Sequence, residues 1–596
     1  MASVHGRISR LFARMGLRGL PRPEEWRNDL VAGITVSLVA IPQSLAYAQL
    51  AGVPPYYGLY AALLPSIVGA LFGSSPQLST GPVALTSLLT AASVAPLALR
   101  GSESFSAFVV QLALFSGILQ LGFGLMRLGV VLNFLSHPVL MGFINAAAII
   151  IGLSQLPTLL GMSSRQSEHF LLDIWQVVAN IDLVHVLSMA FGASAIAMLV
   201  AFRRWAPRLP GVLITVTALT LVSQAIDYAG RGGRVVGVIP TGLPRLGFPS
   251  FDGNDVLTLL PASLVIAVIS FMEAMSSAKV ISIQTRVPWD ENRELIGQGL
   301  AKIAAALCLT MPVSGSFSRS ALNLATNART ALSSVVAAAA VLLTLLFFTP
   351  YLYHLPKPVL AAVIMMAVAG LINLAALTRA WRASREDGAA AVVTFFCTLA
   401  FAPNIQIGIV AGIVLSVGLV LFRMMRPRIA ILGLHADGTL RDAVRHDLAP
   451  LHPRLSAIRF DGALRFMNAS FFEDAILKVE QDNPDASIIL LTCGGINQID
   501  ASAIEMLTQL VARFRSKGIS LAFSGIKRQV QEVMDRTGLS ARIGAENIFP
   551  TDRMAVDALC GRLNGLQSGG EPARGAGQDS TTPFPQSADQ LQNSGR

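Results

Sequence analysis

Charge is what this sequence has least of. Only 13% of its 596 residues are Asp, Glu, Lys or Arg, about half the share of an ordinary soluble domain. Between Asp29 and Arg100 there is no charged side chain at all. With 53% hydrophobic residues and a mean hydropathy of +0.59, a wholly water-borne protein is excluded. Charges stay sparse from about Leu30 to Phe422 and return to ordinary density after Arg423. Two compartments follow: a membrane body and an aqueous module.

Other absences narrow the function. The four cysteines, Cys308, Cys397, Cys493 and Cys560, show no CxxC or His-paired spacing, so they read as buried, reduced thiols. No GxxxxGK[ST] loop is present, which argues against energy from bound ATP. No nucleophile–base or metal-ligand constellation stands out, so no enzyme, cofactor or metal is expected. The net charge of +10 gathers largely at the ends of apolar runs, where Lys and Arg set orientation; nucleic acid is not an expected partner. No short apolar core with a cleavage site opens the chain, so no signal peptide is expected. Residues 1–28 instead alternate arginines with Ile8, Leu11, Phe12 and Leu17, the pattern of an interfacial amphipathic helix at the lipid surface.

What is present is long apolar runs. A spanning helix needs about 20 mainly apolar residues. Candidates lie near 30–48, 57–72, 105–126, 130–154, 183–202, 211–227, 257–277, 294–311, 329–349, 357–377, 388–402 and 405–424. Two pieces, about 82–97 and 319–328, are too short or interrupted to span alone. Counting both predicts fourteen segments in a transmembrane domain over 29–425. Basic residues cluster in alternate connections, among them Arg203, Arg204, Arg208, Lys279, Arg286, Arg293, Arg379, Arg382 and Arg385. That bias predicts that both termini are cytoplasmic, in a multi-pass protein expected in the cell (inner) membrane.

The two halves echo one another. IPQSLAYA (41–48) aligns with FMEAMSSA (271–278), setting Gln43 against Glu273. Each is followed by an apolar hairpin and then a Pro/Gly/Ser-rich break, FGSSPQLSTGPVA (72–84) and MPVSGSFSRSALN (311–323). Inverted repeats with broken helices near the midplane are a transporter plan, so a seven-plus-seven repeat is expected.

The breaks suggest the chemistry. A helix that starts inside a membrane leaves backbone N–H groups unpaired, at a dipole end worth about half a positive charge. Thr80, Gly81, Pro82 and Val83 would form one such start, with Gly81 allowing close approach and Pro82 tolerated in a first turn. Ser316, Phe317 and Ser318 would open the other, near Arg319. Facing one another, the starts would make an anion site. A guanidinium in the membrane body normally faces a cavity or partner, and its planar donors suit an oxyanion. Glu273 lies within LVIAVISFMEAM (264–275), where an ionised carboxylate costs about 2.5–3.5 kcal/mol. A carboxyl able to take up a proton beside an anion site is a natural proton-coupling group. Gln43, after Pro42, would add an amide donor.

From about 435 to 562 the pattern changes to short strands alternating with helices: SIILLTC (487–493), SAIEMLTQLVARFRS (502–516), ISLAFSG (519–525). This order implies a small open α/β sheet. The Gly-, Ser-, Gln- and Pro-rich stretch 566–596 is expected to be disordered.

Taken together, IPQSLAYAQLAGVPPYYGLYAAL (41–63), FGSSPQLSTGP (72–82), NRELIGQGLAK (292–302) and MPVSGSFSRSALN (311–323) resemble the sulfate permease (SulP) anion transporter family over about residues 20–562. The resemblance implies an all-α, uracil-permease-like domain of core and gate parts, an elevator-type movement, and a C-terminal STAS domain similar to bacterial anti-sigma-factor antagonists. It places Gln43, Glu273, Ser318 and Arg319 at the family's substrate or coupling positions. Proton-coupled sulfate members carry Glu where this chain has Glu273. Sodium-coupled bicarbonate members carry Asp there and Thr one turn on, where this chain has Ser277, the candidate ion-coupling position. Lys302 stands where many members have Asn. Antagonists are phosphorylated on a Ser after a DSSG-like turn; here the stretch is Asp500, Ala501, Ser502, Ala503, which makes Ser502 the candidate phosphosite. The favoured expectation is proton-coupled sulfate uptake by a homodimer, with a cytoplasmic protein as a partner for the STAS domain. A bicarbonate or C4-dicarboxylate transporter, sodium-coupled or not, and a passive anion channel are the alternatives.

Overall fold

The computed structural model describes residues 23–129, 136–162, 170–207, 209–240, 242–402 and 404–567. Most of the amphipathic segment expected over 1–28, and all of the tail expected over 566–596 but its first two residues, which end a helix, lie outside them, as does Arg208. The chain divides into two compact units, meeting in sequence between Gly418 and Leu419.

The first unit is helical, and the order helix, strand, half-length helix, helix occurs in it twice. The first run is α1 (Pro23–Ala51), α2 (Tyr56–Ala61), α3 (Leu64–Phe72), strand β1 (Ser79–Gly81), the half-length α4 (Ala84–Val94), and α5 (Glu103–Leu125). Next come α6 (His137–Ser154), α7 (Val186–Trp205) and α8 (Gly211–Ala225). The second run is α9 (Gly253–Thr285), α10 (Glu291–Leu307), β2 (Ser314–Ser316), the half-length α11 (Phe317–Ala325), and α12 (Leu332–Leu343). The unit continues through α13 (Lys357–Ala369) and α14 (Arg385–Ala400), and α15 (Gln406–Met425) crosses the boundary. Among the described residues, 8 helices are long and apolar enough to cross a membrane; Tyr56–Phe72, Ala84–Val94 and Gly211–Ala225 are shorter apolar pieces. Phe347, Phe396 and Val414 are each more than 60% exposed, a surface that suits hydrocarbon better than water.

Small residues set one of the close crossings. Helix α10 packs along α5 and α3. A Cβ on Gly299 would stand 2.6 Å from the Leu121 backbone nitrogen, and one on Gly117 2.9 Å from that of Ile303. Any side chain at either position would push the backbones apart, the usual reason for glycine at helix contacts in membranes. Helix ends that the apolar pattern leaves vague are set by polar caps. Helix α9 begins at Gly253 under a reciprocal Asp252–Asp255 capping box, four residues before the apolar run suggested. The run 57–72 is two helices, with Pro65 in the first turn of the second.

The second unit holds a six-stranded sheet of order β4-β3-β5-β6-β7-β8. Its strands are β3 (Arg428–Leu434), β4 (Leu440–Asp442), β5 (Leu455–Asp461), β6 (Ile488–Thr492), β7 (Ser520–Ser524) and β8 (Ile548–Phe549). Strands β5 to β8 are parallel, and β3 is antiparallel to both of its neighbours. The central β6 is buried along its whole length, as an apolar run without alternation requires. Helices α16 (Ala469–Asp482) and α17 (Ala501–Ser516) cover it through Phe472, Ile476, Leu507 and Phe514. Cys493 lies in the same core, where burial first and the Asp552 charge second push its thiol up, away from the reactive thiolate.

Candidate functional site

The two breaks meet. Strands β1 and β2, more than 230 residues apart in sequence, pair antiparallel with Ser79 opposite Ser316, Thr80 opposite Gly315, and Gly81 opposite Ser314. All six residues are buried. Each strand leads into a half-helix, so the starts of α4 and α11 lie side by side, as an anion cradle built from backbone donors requires.

The two starts are finished differently. Helix α4 begins at Ala84 behind Val83, which is extended and gives no side-chain cap. Pro82 therefore stands before the helix, not within its first turn as the sequence suggested. The reason is across the gap: its carbonyl accepts Nη1 of Arg319 at 2.8 Å, a contact a helical Pro82 would aim elsewhere. Helix α11 begins at Phe317, two residues before Arg319, and the Ser316 hydroxyl accepts the Arg319 backbone N–H at 3.4 Å. Phe317 and Ser318 are exposed, and the Ser318 hydroxyl lies 3.5 Å from that of Ser316.

Arg319 is only 2% exposed, yet its Nη2 has no hydrogen-bond partner. An unmatched guanidinium nitrogen in a buried setting is costly. It points to a ligand site. Gly81 leaves room for it, since a Cβ there would stand 3.0 Å from Nη2.

Glu273 on α9 faces the same region. It is acted on by the charges of Arg319 and, more weakly, Lys302, and its carboxyl is within hydrogen-bonding reach of the Ser314 side chain. Among the described residues no ion pair closer than 4.0 Å joins it to either cation, and its Oε2 has no partner. Gln43 on α1 is buried with Oε1 unpartnered. It also lines a cavity of about 280 Å³ between α1, α7, α8 and α13, with Arg203, Phe202, Val363 and Met366.

Of the remaining expected residues, Thr80 and Ser277 are hydrogen-bonded within the helical unit and Ser502 is exposed. Thr80 takes Nε2 of Gln298 on its hydroxyl at 2.8 Å and the Ser66 hydroxyl on its carbonyl at 2.7 Å. Ser277 is buried one turn beyond Glu273, and its hydroxyl donates to the Glu273 carbonyl at 3.3 Å. Ser502 is exposed in the first turn of α17, whose start is capped by Asp500. Among the described residues no group of three or more His, Cys, Asp or Glu could hold a metal ion.

Sequence reasoning missed several contributors. Tyr47 lies one turn after Gln43 on the same face, is buried, and interacts with the charges of Arg319 and Glu273. The i, i+4 spacing to Gln43 was the available signal. Glu294 accepts the backbone N–H groups of Ser74 and Ser75, at 2.8 and 3.1 Å, and so ties α10 to the loop before β1. Asp29 does the same for the turn after α11, accepting Arg329 and Thr330.

Residues 26–394 match the Sulfate permease family and residues 448–555 the STAS domain. The chain belongs to the sulfate permease family. It is a multi-pass membrane protein of an anion-transporting family, with a helical membrane domain and a C-terminal STAS domain. Sulfate transporter 4.1, chloroplastic, of Arabidopsis thaliana is 33% identical over 88% of this chain and 79% of its own. A probable sulfate transporter of Mycobacterium tuberculosis is 33% identical over 89% of this chain and 95% of its own. The fold is that of murine solute carrier 26 family member A9, an anion transporter solved in an inward-facing state, at a TM-score of 0.83 and 20% identity, over 91% of this chain and 92% of that one. The transmembrane domain of a cyanobacterium bicarbonate transporter aligns with a TM-score of 0.57 at 22% identity, over 66% of this chain and 98% of its own.

Proposed function

We propose that this protein is a secondary active transporter that takes up sulfate together with protons, its fourteen segments forming two seven-segment halves that move substrate by an elevator-type displacement. The single observation that carries the reading is the unpartnered Nη2 of buried Arg319, set between two half-helix starts. Sulfate would lie there, held by N–H groups at the start of α4, the Ser318 hydroxyl, the Gln43 amide and the guanidinium. Relatives that bear the name sulfate transporter over nearly the whole chain support the choice of anion.

The coupled proton has a seat. Ser314 gives its own hydroxyl proton to the Ser270 carbonyl at 2.9 Å, so towards Glu273 it can act as an acceptor. A protonated Glu273 would donate to it and present no negative charge to the incoming anion. Loss of that proton on the low-proton side would restore repulsion and release sulfate. The cavity beside Gln43 would be part of the approach.

In this reading the transport domain covers 29–425 and the STAS domain 435–562, with residues 1–28 and 566–596 flanking them and both termini cytoplasmic. A homodimer, with Ser502 exposed to a cytoplasmic partner or kinase, completes the proposal. The experiment is sulfate uptake into proteoliposomes with and without an inside-alkaline gradient. Wild type should accumulate sulfate faster with the gradient. Glu273→Gln, fixed in the neutral form, should bind sulfate and lose the gradient response. An unaltered response in that variant would remove Glu273 from coupling.

A further inference from the structure

The transport reading leaves one charged group without a task. Lys302, in the middle of α10, is fully buried at 0% exposure. Its amine donates to the Gln120 side-chain oxygen on α5 and, at 2.6 Å, to the Ser270 hydroxyl on α9. Neither partner carries charge. A buried cation matched only by neutral groups is expensive, and such groups in membranes normally answer to a charge elsewhere.

The surroundings say which charge. Ser270, which holds the amine through its hydroxyl, also accepts the Ser314 hydroxyl on its carbonyl, and Ser314 lies in β2 beside the candidate anion site. Lys302 thus stands directly behind the strand that leads into α11. Among the described ionisable groups on the elements packed against α10, Glu273 is the one whose charge acts on Lys302. Glu103 opens α5 and Asp255 opens α9, while Lys279 is exposed near the far end of α9. Glu294, two turns earlier on α10, is engaged by Ser74, Ser75 and Gln298. Helix α3 contributes no ionisable group.

We propose that Lys302 is a charge-selecting residue, the second of two buried cations that together balance a doubly charged tetrahedral oxyanion between the half-helix starts. This rests on the anion site of the reading above, not on its transport step, and deepens it. With Glu273 protonated, Arg319 and Lys302 supply two positive charges, and a dianion brings the buried ensemble to neutrality. A singly charged anion of the same shape leaves one cation unmatched. Lys302 does not touch the substrate; it sets the potential there through Ser270 and Ser314, so it is a positioning residue.

The test compares sulfate and selenate with perchlorate, which has the same tetrahedral shape and one charge fewer. Binding of each anion to the purified full-length protein is measured separately by calorimetry, without transport. Wild type should prefer both dianions over perchlorate. In Lys302→Met that preference should shrink roughly tenfold, the order expected for removing one nearby unit charge at protein-like screening. General damage to the site would weaken all three anions alike and leave the ratio unchanged. Should the Met variant not fold, Lys302→Gln leaves a neutral amide able to hydrogen-bond in place of the amine and should show the same narrowing. Equal binding of dianions and perchlorate by wild type, or an unmoved ratio in a folded variant, overturns the proposal. If wild type binds sulfate selectively but does not transport it, the transport reading fails and this one stands.

Discussion

Helix α4 begins at Ala84 behind an extended Val83 with no side-chain cap, whereas α11 begins at Phe317 under the Ser316 hydroxyl and carries Arg319 in its first turn. The backbone plan is shared: strand, short extended link, half-helix, with the two strands paired residue for residue. The chemistry is divided. The first start offers bare N–H groups in an apolar frame, and the second spends an N–H on its own serine and supplies a guanidinium instead. In the proposed reading, symmetry fixes where an anion would lie, and its breaking would decide which half binds by dipole and which by charge.

Removing the guanidinium should separate the halves most sharply. Arg319→Ala should weaken sulfate binding by about 1.5–3 kcal/mol, the range for losing a hydrogen bond to a charged group, read as a rise in Kd on folded protein. A change under about twofold would mean that Arg319 serves only the Pro82 carbonyl. Making the first start resemble the second comes next. Val83→Ser places an N-capping hydroxyl there, which should stabilise α4 by about 1 kcal/mol while occupying an N–H needed by the anion. Tm should rise as sulfate affinity falls several-fold; tighter binding would contradict the bare-donor role. The smallest effect is the converse change. Ser316→Ala should cost about 1 kcal/mol of stability and leave sulfate affinity within about threefold if its hydroxyl serves as the cap of α11 and does not hold the anion. A large loss of binding would show that Ser316 contacts the anion directly.

Much of this arrangement is legible before folding. Gly81, Pro82, Ser316 and Arg319 announce themselves because helix breakers and a guanidinium are out of place in apolar runs. The βαβ module is equally plain, since SIILLTC and the amphipathic 502–516 differ in period and appear as Ile488–Thr492 and Ala501–Ser516. Helix starts were less visible, because a polar pair such as Asp252 and Asp255 sets α9 while the hydropathy that marks a span begins later. The role of Pro82 could not be read at all. It depends on a partner 237 positions away.

The sequence by itself determined that the chain enters a membrane, where its helices break, and that a strand–helix module follows, because each of these depends on neighbours along the chain. Only the tertiary structure decided that the breaks lie side by side, that Arg319 reaches across to Pro82 and keeps one nitrogen unmatched, and that Lys302 stands behind β2. Those facts depend on which distant groups share a buried space, where an unpaired charge is too costly to remain without a purpose.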